Sequence, residues 1–287
     1  MGKAQALRPG EVSWMTAGSG IVHSERTSLE ALASGSNFFG IQAWVALPCK
    51  DEEVAADFAH YNELEIPRTC ARGVEFTLIA GTSNGLTSPV KTFSDMVFAE
   101  IVLTSGARYQ IKPGHHERAV YVVAGEVEIV GRTGSFREAE LILLEPGAEI
   151  VLKAPAFHSA RLMLMGGEPF SEPRHVYWNF VSSSAERIER AKTDWRERRF
   201  PGVPGEHDFV PLPEDLDQAA DRRPDLPLGR PHGGDGGTCM PAGRRTKHGG
   251  GRNFACSRVC GGSRCRITAA SSGSGSWCPR RVVVTGF

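Results

Sequence analysis

The chain has 287 residues, enough for one large or two small domains, and its 40% apolar and 23% charged content are those of an ordinary globular protein. No apolar run approaches the ~18–20 residues that span a bilayer, and the opening residues MGKAQALRPGE lack the apolar core of a signal peptide, so a soluble cytoplasmic protein is the expectation. A formal net charge of zero conceals a division: residues 230–287 carry ten basic side chains and one acid, +9, against −9 for the rest.

The first informative segment runs from Gly10 to Glu25, GEVSWMTAGSGIVHSE. If its end is a strand, His23 and Glu25 project from one face, because side chains alternate with period two. An imidazole and a carboxylate on one wall suit Fe, Mn, Ni or Cu. Taken alone, His-x-Glu is more often a surface or hydrogen-bonded pair than a metal site.

A series of short strands follows. Phe38 to Leu47 is apolar and aromatic, ended by Pro48; Gly73 to Gly81 is bounded by glycines; Met96 to Leu103 comes next. Ala119 to Val130 bends at Gly125, as a tight hairpin would. Leu141 to Leu144, Glu149 to Leu152 and Ala160 to Met165 complete a pattern expected of an all-β sandwich or barrel. His115 and His116 precede the Tyr121 strand, but neighbours on a strand face opposite ways, which argues against both on one metal. His60, His158, His175 and His207 look isolated, as surface or packing residues. Cys49 and Cys70 read as buried thiols and not as a disulfide.

One segment is plainly helical. Ser183 and Glu186 match a capping box, and Ile188, Ala191 and Trp195 make one apolar stripe before Pro201 and Gly202 end the helix. Val203 to Arg230 reads as a linker. In the tail, Cys256, Cys260 and Cys265 with His248 have loosely zinc-like spacing, but Gly, Ser and Arg give no small core to support a metal module. Disorder, a basic nucleic-acid arm and a GC-rich gene read in a wrong frame are the other readings; the last is favoured.

The 10–25 string, with its Trp-Met-Thr-Ala-Gly and Gly-Ile-x-His-Ser-Glu, closely resembles the pirin signature. Gln42 to Pro48, Tyr61 to Pro67 (with Asn62 where the family has Gln), Tyr121 to Val127, Met165 to Pro173 and Trp178 to Val181 match further pirin segments in order. The resemblance covers roughly residues 8–213.

It implies two stacked cupin barrels, that is, double-stranded β-helices. It also implies an iron in the first barrel bound by three His and one Glu, of which His23 and Glu25 match the third His and the Glu. The other two His belong to a His-x-His-x-Gly-x-Glu strand upstream of the signature, which is not found here. The expectation is therefore a partial N-terminal cupin over residues 1–67, a complete C-terminal cupin with its helix over 68–200, a linker over 201–229 and a disordered basic tail over 230–287.

Three functions are open. One is an iron-dependent flavonol (quercetin) 2,3-dioxygenase type of enzyme acting on a flavonoid-like molecule, with Glu25 as base and impaired by the missing ligands. Another is a metal-dependent transcription co-regulator that binds a protein and not nucleic acid, since the body's −9 charge opposes direct DNA contact. The third is an inactive truncated product. An incomplete barrel also predicts self-association, with Ile41, Trp44 and Val45 on the exposed face.

Overall fold

The computed structural model describes residues 2–33, 39–213, 266–271 and 281–286. Its elements in chain order are β1 (Val12–Thr16), α1 (Leu29–Ala33), β2 (Phe39–Val45), β3 (Asp57–Tyr61), β4 (Arg68–Ala71), β5 (Val74–Ser83), β6 (Leu86–Thr87), β7 (Met96–Leu103) and β8 (Arg108–Ile111). There follow β9 (Glu117–Ile129), β10 (Ser135–Arg137), β11 (Leu141–Leu144), β12 (Ile150–Lys153), β13 (Ala160–Gly167), β14 (His175–Tyr177), β15 (Phe180–Ser182), α2 (Ala185–Arg196), β16 (Arg266–Ser271) and β17 (Arg281–Gly286). The architecture is all-β, a cupin fold with a short α1 and a longer α2 docked on the β14–β15 hairpin.

The larger sheet has ten strands, with β4-β5-β7-β13-β9-β12-β8 as its main path. It curls around an apolar interior in which Leu78, Ile101, Leu103, Val120, Val122, Val127, Leu152 and Leu162 are completely buried. Alternating β-branched and aromatic residues direct one face inward along β5, β7, β9 and β13. β9 is one continuous strand, not a hairpin. Gly125 takes φ +80° and packs where a Cβ would lie 1.9 Å from the Ser159 carbonyl oxygen. The neighbouring register shift lets Val123 bulge, so the strand bends and pairs β13 with its first part and β10 and β12 with its last.

The smaller sheet runs β16-β2-β17-β1-β3. Its apolar face packs on the outer face of the larger sheet: Val12, Trp14, Ile41 and Ala43, with Ile66 of the turn after β3, meet Ile79, Phe98, Val123 and Met163. This corrects the expectation of an exposed apolar face, because Ile41 is 4% exposed and Trp44 and Val45 are partly buried. Within the tail, expected to be disordered, two strands are drawn. The backbone of β17 lies parallel to both β1 and β2 and separates them, and β16 lines the outer side of β2. Both are short and rich in β-branched residues, RITAAS and RVVVTG, and β1 and β2 offer the unpaired edges such segments need. The tail cysteines Cys256, Cys260 and Cys265 lie outside the described residues, as does His248.

The helix forms where its apolar stripe predicts, with Ile188 and Ala191 buried, but its cap is one residue later than expected. Ser184 is the N-cap, its hydroxyl accepting the Arg187 N–H, while Ser183 is taken by the Glu52 carboxylate. Cys49 and Cys70 are free, as expected, but exposed and not buried.

Candidate functional site

β1 carries the signature into a turn. Gly18 has φ +52° and a Cβ there would meet the Val54 carbonyl oxygen at 2.0 Å, while the Ser19 N–H donates to that same oxygen at 2.9 Å. Only glycine accepts both the left-handed backbone and the contact. Beyond it, residues 21–28 have no regular structure, so His23 and Glu25 sit on a loop and not on a strand as expected. No described strand pairs with this segment, and an extended segment without a ladder partner does not count as a sheet. Strand alternation therefore does not explain how the two side chains come together.

A cavity of about 390 Å³ does bring them together. Its first wall is the 17–25 loop with His23 and Glu25, and its floor includes Gln42 and Trp44 of β2. Glu52 and Glu53 form one side. The far wall comes from more than a hundred residues further along the chain: Trp178 and Phe180 of the β14–β15 hairpin, and Arg187, Trp195 and Phe200 on and after α2.

That far wall is an aromatic cluster. Trp178 and Trp195 meet edge-on at 5.3 Å between centroids, and Phe180 stacks on Phe200 at 6.1 Å with 11° between the rings. Trp178 holds φ +49°, an uncommon conformation for a bulky residue, kept by the ring contacts around it. The loop 49–54 ties the walls together. Glu52 accepts the Ser183 N–H at 3.0 Å and pairs with Arg174 at 2.8 Å, and Glu53 pairs with Arg187 at 2.7 Å.

Both His23 and Glu25 are solvent-exposed at the cavity. Desolvation by surrounding protein still pushes the His23 pKa below 6.5, opposed by the Glu25 charge. The imidazole is therefore held more in its neutral, metal-ligating form.

Other titratable groups fall elsewhere. His115 faces Asp95 at 3.6 Å, and His116 meets Glu168 only through its backbone N–H. The interior of the larger sheet is filled by apolar side chains. His60, read from sequence as isolated, is not: its Nδ1 is 3.2 Å from the Ser13 hydroxyl and its Nε2 3.4 Å from the Glu11 carboxylate. The register of β1 on β3 sets this, placing Ser13 opposite His60. Sequence reading also missed Glu52, Glu53, Arg187 and the aromatic wall. Only the spacing of aromatics from Trp178 to Phe209 hinted at the last.

Residues 98–201 match the pirin C-terminal cupin domain and residues 1–45 match the pirin family. Over 217 residues the chain is 42% identical to the Pirin-like protein of Caulobacter vibrioides, covering 75% of this chain and 73% of that one. The chain belongs to the pirin family. It is also 31% identical over 202 residues to Pirin-1 of Arabidopsis thaliana, covering 69% of this pirin and 68% of the plant protein. A quercetin 2,3-dioxygenase from Acinetobacter baumannii superposes with a TM-score of 0.52 at 25% identity, over 58% of this chain and 56% of that one. This pirin thus spans little more than half the length of that solved relative.

Relatives of the quercetin dioxygenase kind imply a metal. Among the described residues no group of three or more His, Cys, Asp and Glu side chains could hold one. His23 and Glu25 are two suitable donors on one cavity, which is short of a resident site. A two-donor set leaves most coordination positions to water, so no oxygenase step is assigned to it.

Proposed function

We propose that this pirin is a cytoplasmic cupin of the quercetin 2,3-dioxygenase type that keeps the ligand cavity but holds iron only weakly. The observation that carries this is the shared cavity, with His23 and Glu25 on one wall and Trp178, Phe180 and Trp195 on the other. About 390 Å³ lies within the range of pockets that enclose drug-sized molecules, and apolar aromatic walls with a few polar groups suit a flavonoid-like ligand. His23 and Glu25 are the two donors toward iron, and Glu25 is the group placed to accept a substrate proton. Two side chains without further donors give low occupancy and impaired oxygenase activity.

The test uses the full chain purified without added metal. Iron is expected well below one per chain, with no oxygen consumption on quercetin. Fusing a relative's His-x-His strand ahead of Met1 should raise both, and His23→Ala in that fusion should remove the gain. One tightly held iron in the chain as it stands would overturn the reading.

A protein-binding role is supported by large apolar side chains left in water, Phe157 at 96% exposure in the turn between β12 and β13 and Leu143 at 73% on β11. Their replacement by Ser should leave quercetin binding intact and abolish only a protein contact.

A further inference from the structure

The loop that carries His23 and Glu25 has no strand partner, yet beyond the Ser19 N–H bond to the Val54 carbonyl it is fastened at several points by the chain that follows Ser184. At its start, the Ser19 carbonyl accepts a bond from the Arg187 guanidinium at 3.1 Å, and the same guanidinium donates to Glu53 at 2.7 Å. Next, Gly20 lies under the Phe200 ring so closely that a Cβ would be 2.7 Å from a ring carbon. At its end, Arg26 donates to Glu206 at 3.1 Å and to Asp208 at 2.7 Å, and the Ser24 hydroxyl donates to Glu206 at 3.1 Å. His23 and Glu25 alternate with Ser24 and Arg26, the two residues pinned to Glu206.

The fastening chain is itself anchored. Trp195 donates its indole N–H to the Val210 carbonyl at 2.9 Å and stacks on Phe209 at 5.3 Å. Arg198 lies over the Phe209 ring at 4.3 Å. Leu212 is completely buried. Residues 200–212 are thus a strap that returns along α2, and not a free linker.

We propose that Arg26 and Arg187 are positioning residues: with Glu206, Asp208 and Phe200 they form a clamp that holds the His23–Glu25 loop against the aromatic wall and so sets both the geometry of the donor pair and access to the cavity. The clamp rests on the proposed ligand role of this cavity only for its purpose, not for its existence. Its contacts divide into a salt-sensitive half, the exposed Arg26 pairs, and a salt-resistant half, the Phe200 contact. Arg26 does not line the cavity, and Arg187, which does, acts on the donor pair through the Ser19 carbonyl.

The test is hydrogen exchange on the intact chain, read on peptides covering residues 17–28, with cobalt(II) titration as a second readout. Arg26→Ala and Arg187→Ala should each speed exchange in that loop by a few-fold to about tenfold, as expected for losing one or two exposed ion pairs. Exchange in β7, β9 and β13 should not change, which separates release of the clamp from loss of fold. Arg26→Lys should recover part of the protection, and raised salt should mimic Arg26→Ala but not Arg187→Ala combined with Phe200→Leu. Weaker cobalt binding in the same variants supports both the clamp and the donor role. Faster exchange with unchanged cobalt binding supports the clamp and sinks the donor role. Unchanged exchange in both arginine variants overturns the clamp.

Discussion

The Glu52 carboxylate, in the loop after β2, and the Arg174 guanidinium, just before β14, meet at 2.8 Å, the arginine side chain 3% exposed and the glutamate 11%. Arg174 also donates to the Leu47 carbonyl at 2.9 Å, and Glu52 accepts from the Ser182 hydroxyl and from Ser183. Both charges are therefore fully partnered. Removing one partner strands the other in a dry place. Glu52→Ala should lower unfolding stability by about 3–5 kcal/mol, the usual cost of an orphaned buried charge. Urea unfolding followed by tryptophan fluorescence measures it; a loss under about 1 kcal/mol would mean the pair is as dispensable as a surface one.

Gly125 offers a second test. With φ +80° and the Ser159 carbonyl oxygen 1.9 Å from the position of an added Cβ, alanine fits neither the conformation nor the space. Gly125→Ala should cost on the order of 2–4 kcal/mol and straighten the β9 bulge. Gly131→Ala is the control, because it has similar φ but no neighbour within 4 Å. Thermal unfolding of the pair should show the large loss at Gly125 only.

The lowered pKa of His23 gives stability a sign in acid. Desolvation by the surrounding protein, only partly opposed by the Glu25 charge, holds the folded imidazole below its unfolded value of 6.5. Between those two values the unfolded chain binds more protons, so stability rises with pH through that window and falls as pH drops below 6.5. His23→Gln should flatten this part of the profile. Urea midpoints from about pH 5 to 8 and an NMR titration of the His23 ring check it; a ring titrating above 6.5 would reverse the sign.

The place of β17 between β1 and β2 predicts what happens without it. Deleting residues 214–287 leaves two strands with unpaired edges, the condition that drives strand-to-strand association. The shortened chain should elute as larger species on size exclusion and bind a hydrophobic dye more strongly than the full chain. A monodisperse monomer with unchanged dye binding would show that the tail strands do not hold this sheet together.

Much of the molecule could be read from its residues in order. Runs such as Met96 to Leu103 and Leu141 to Leu144 are strands with the same bounds in sequence and structure, because branched apolar residues between turn formers leave few other choices. The apolar stripe of Ile188, Ala191 and Trp195 predicted α2 for a similarly local reason. The Gly-Ile-x-His-Ser-Glu string carried the family, since it is a motif and needs no contacts to be recognised.

Features that depend on residues far apart in the chain escaped. Whether Ser183 or Ser184 caps α2 was decided by Glu52, more than a hundred positions away, which claims the first serine. Whether β9 turns back or bends was decided by the Ser159 carbonyl pressed against Gly125. His60 gained its partners only when β1 and β3 came into register. The motif itself named His23 and Glu25, but strand periodicity could not place them: their loop has no ladder of its own and takes its path from Arg187, Phe200 and Glu206. Sequence by itself determined the strands, the helix and the donor types, because each follows from neighbouring side chains. Tertiary structure alone decided the cavity, because its two walls, residues 17–25 and 178–200, lie more than a hundred positions apart and only long-range packing brings them together.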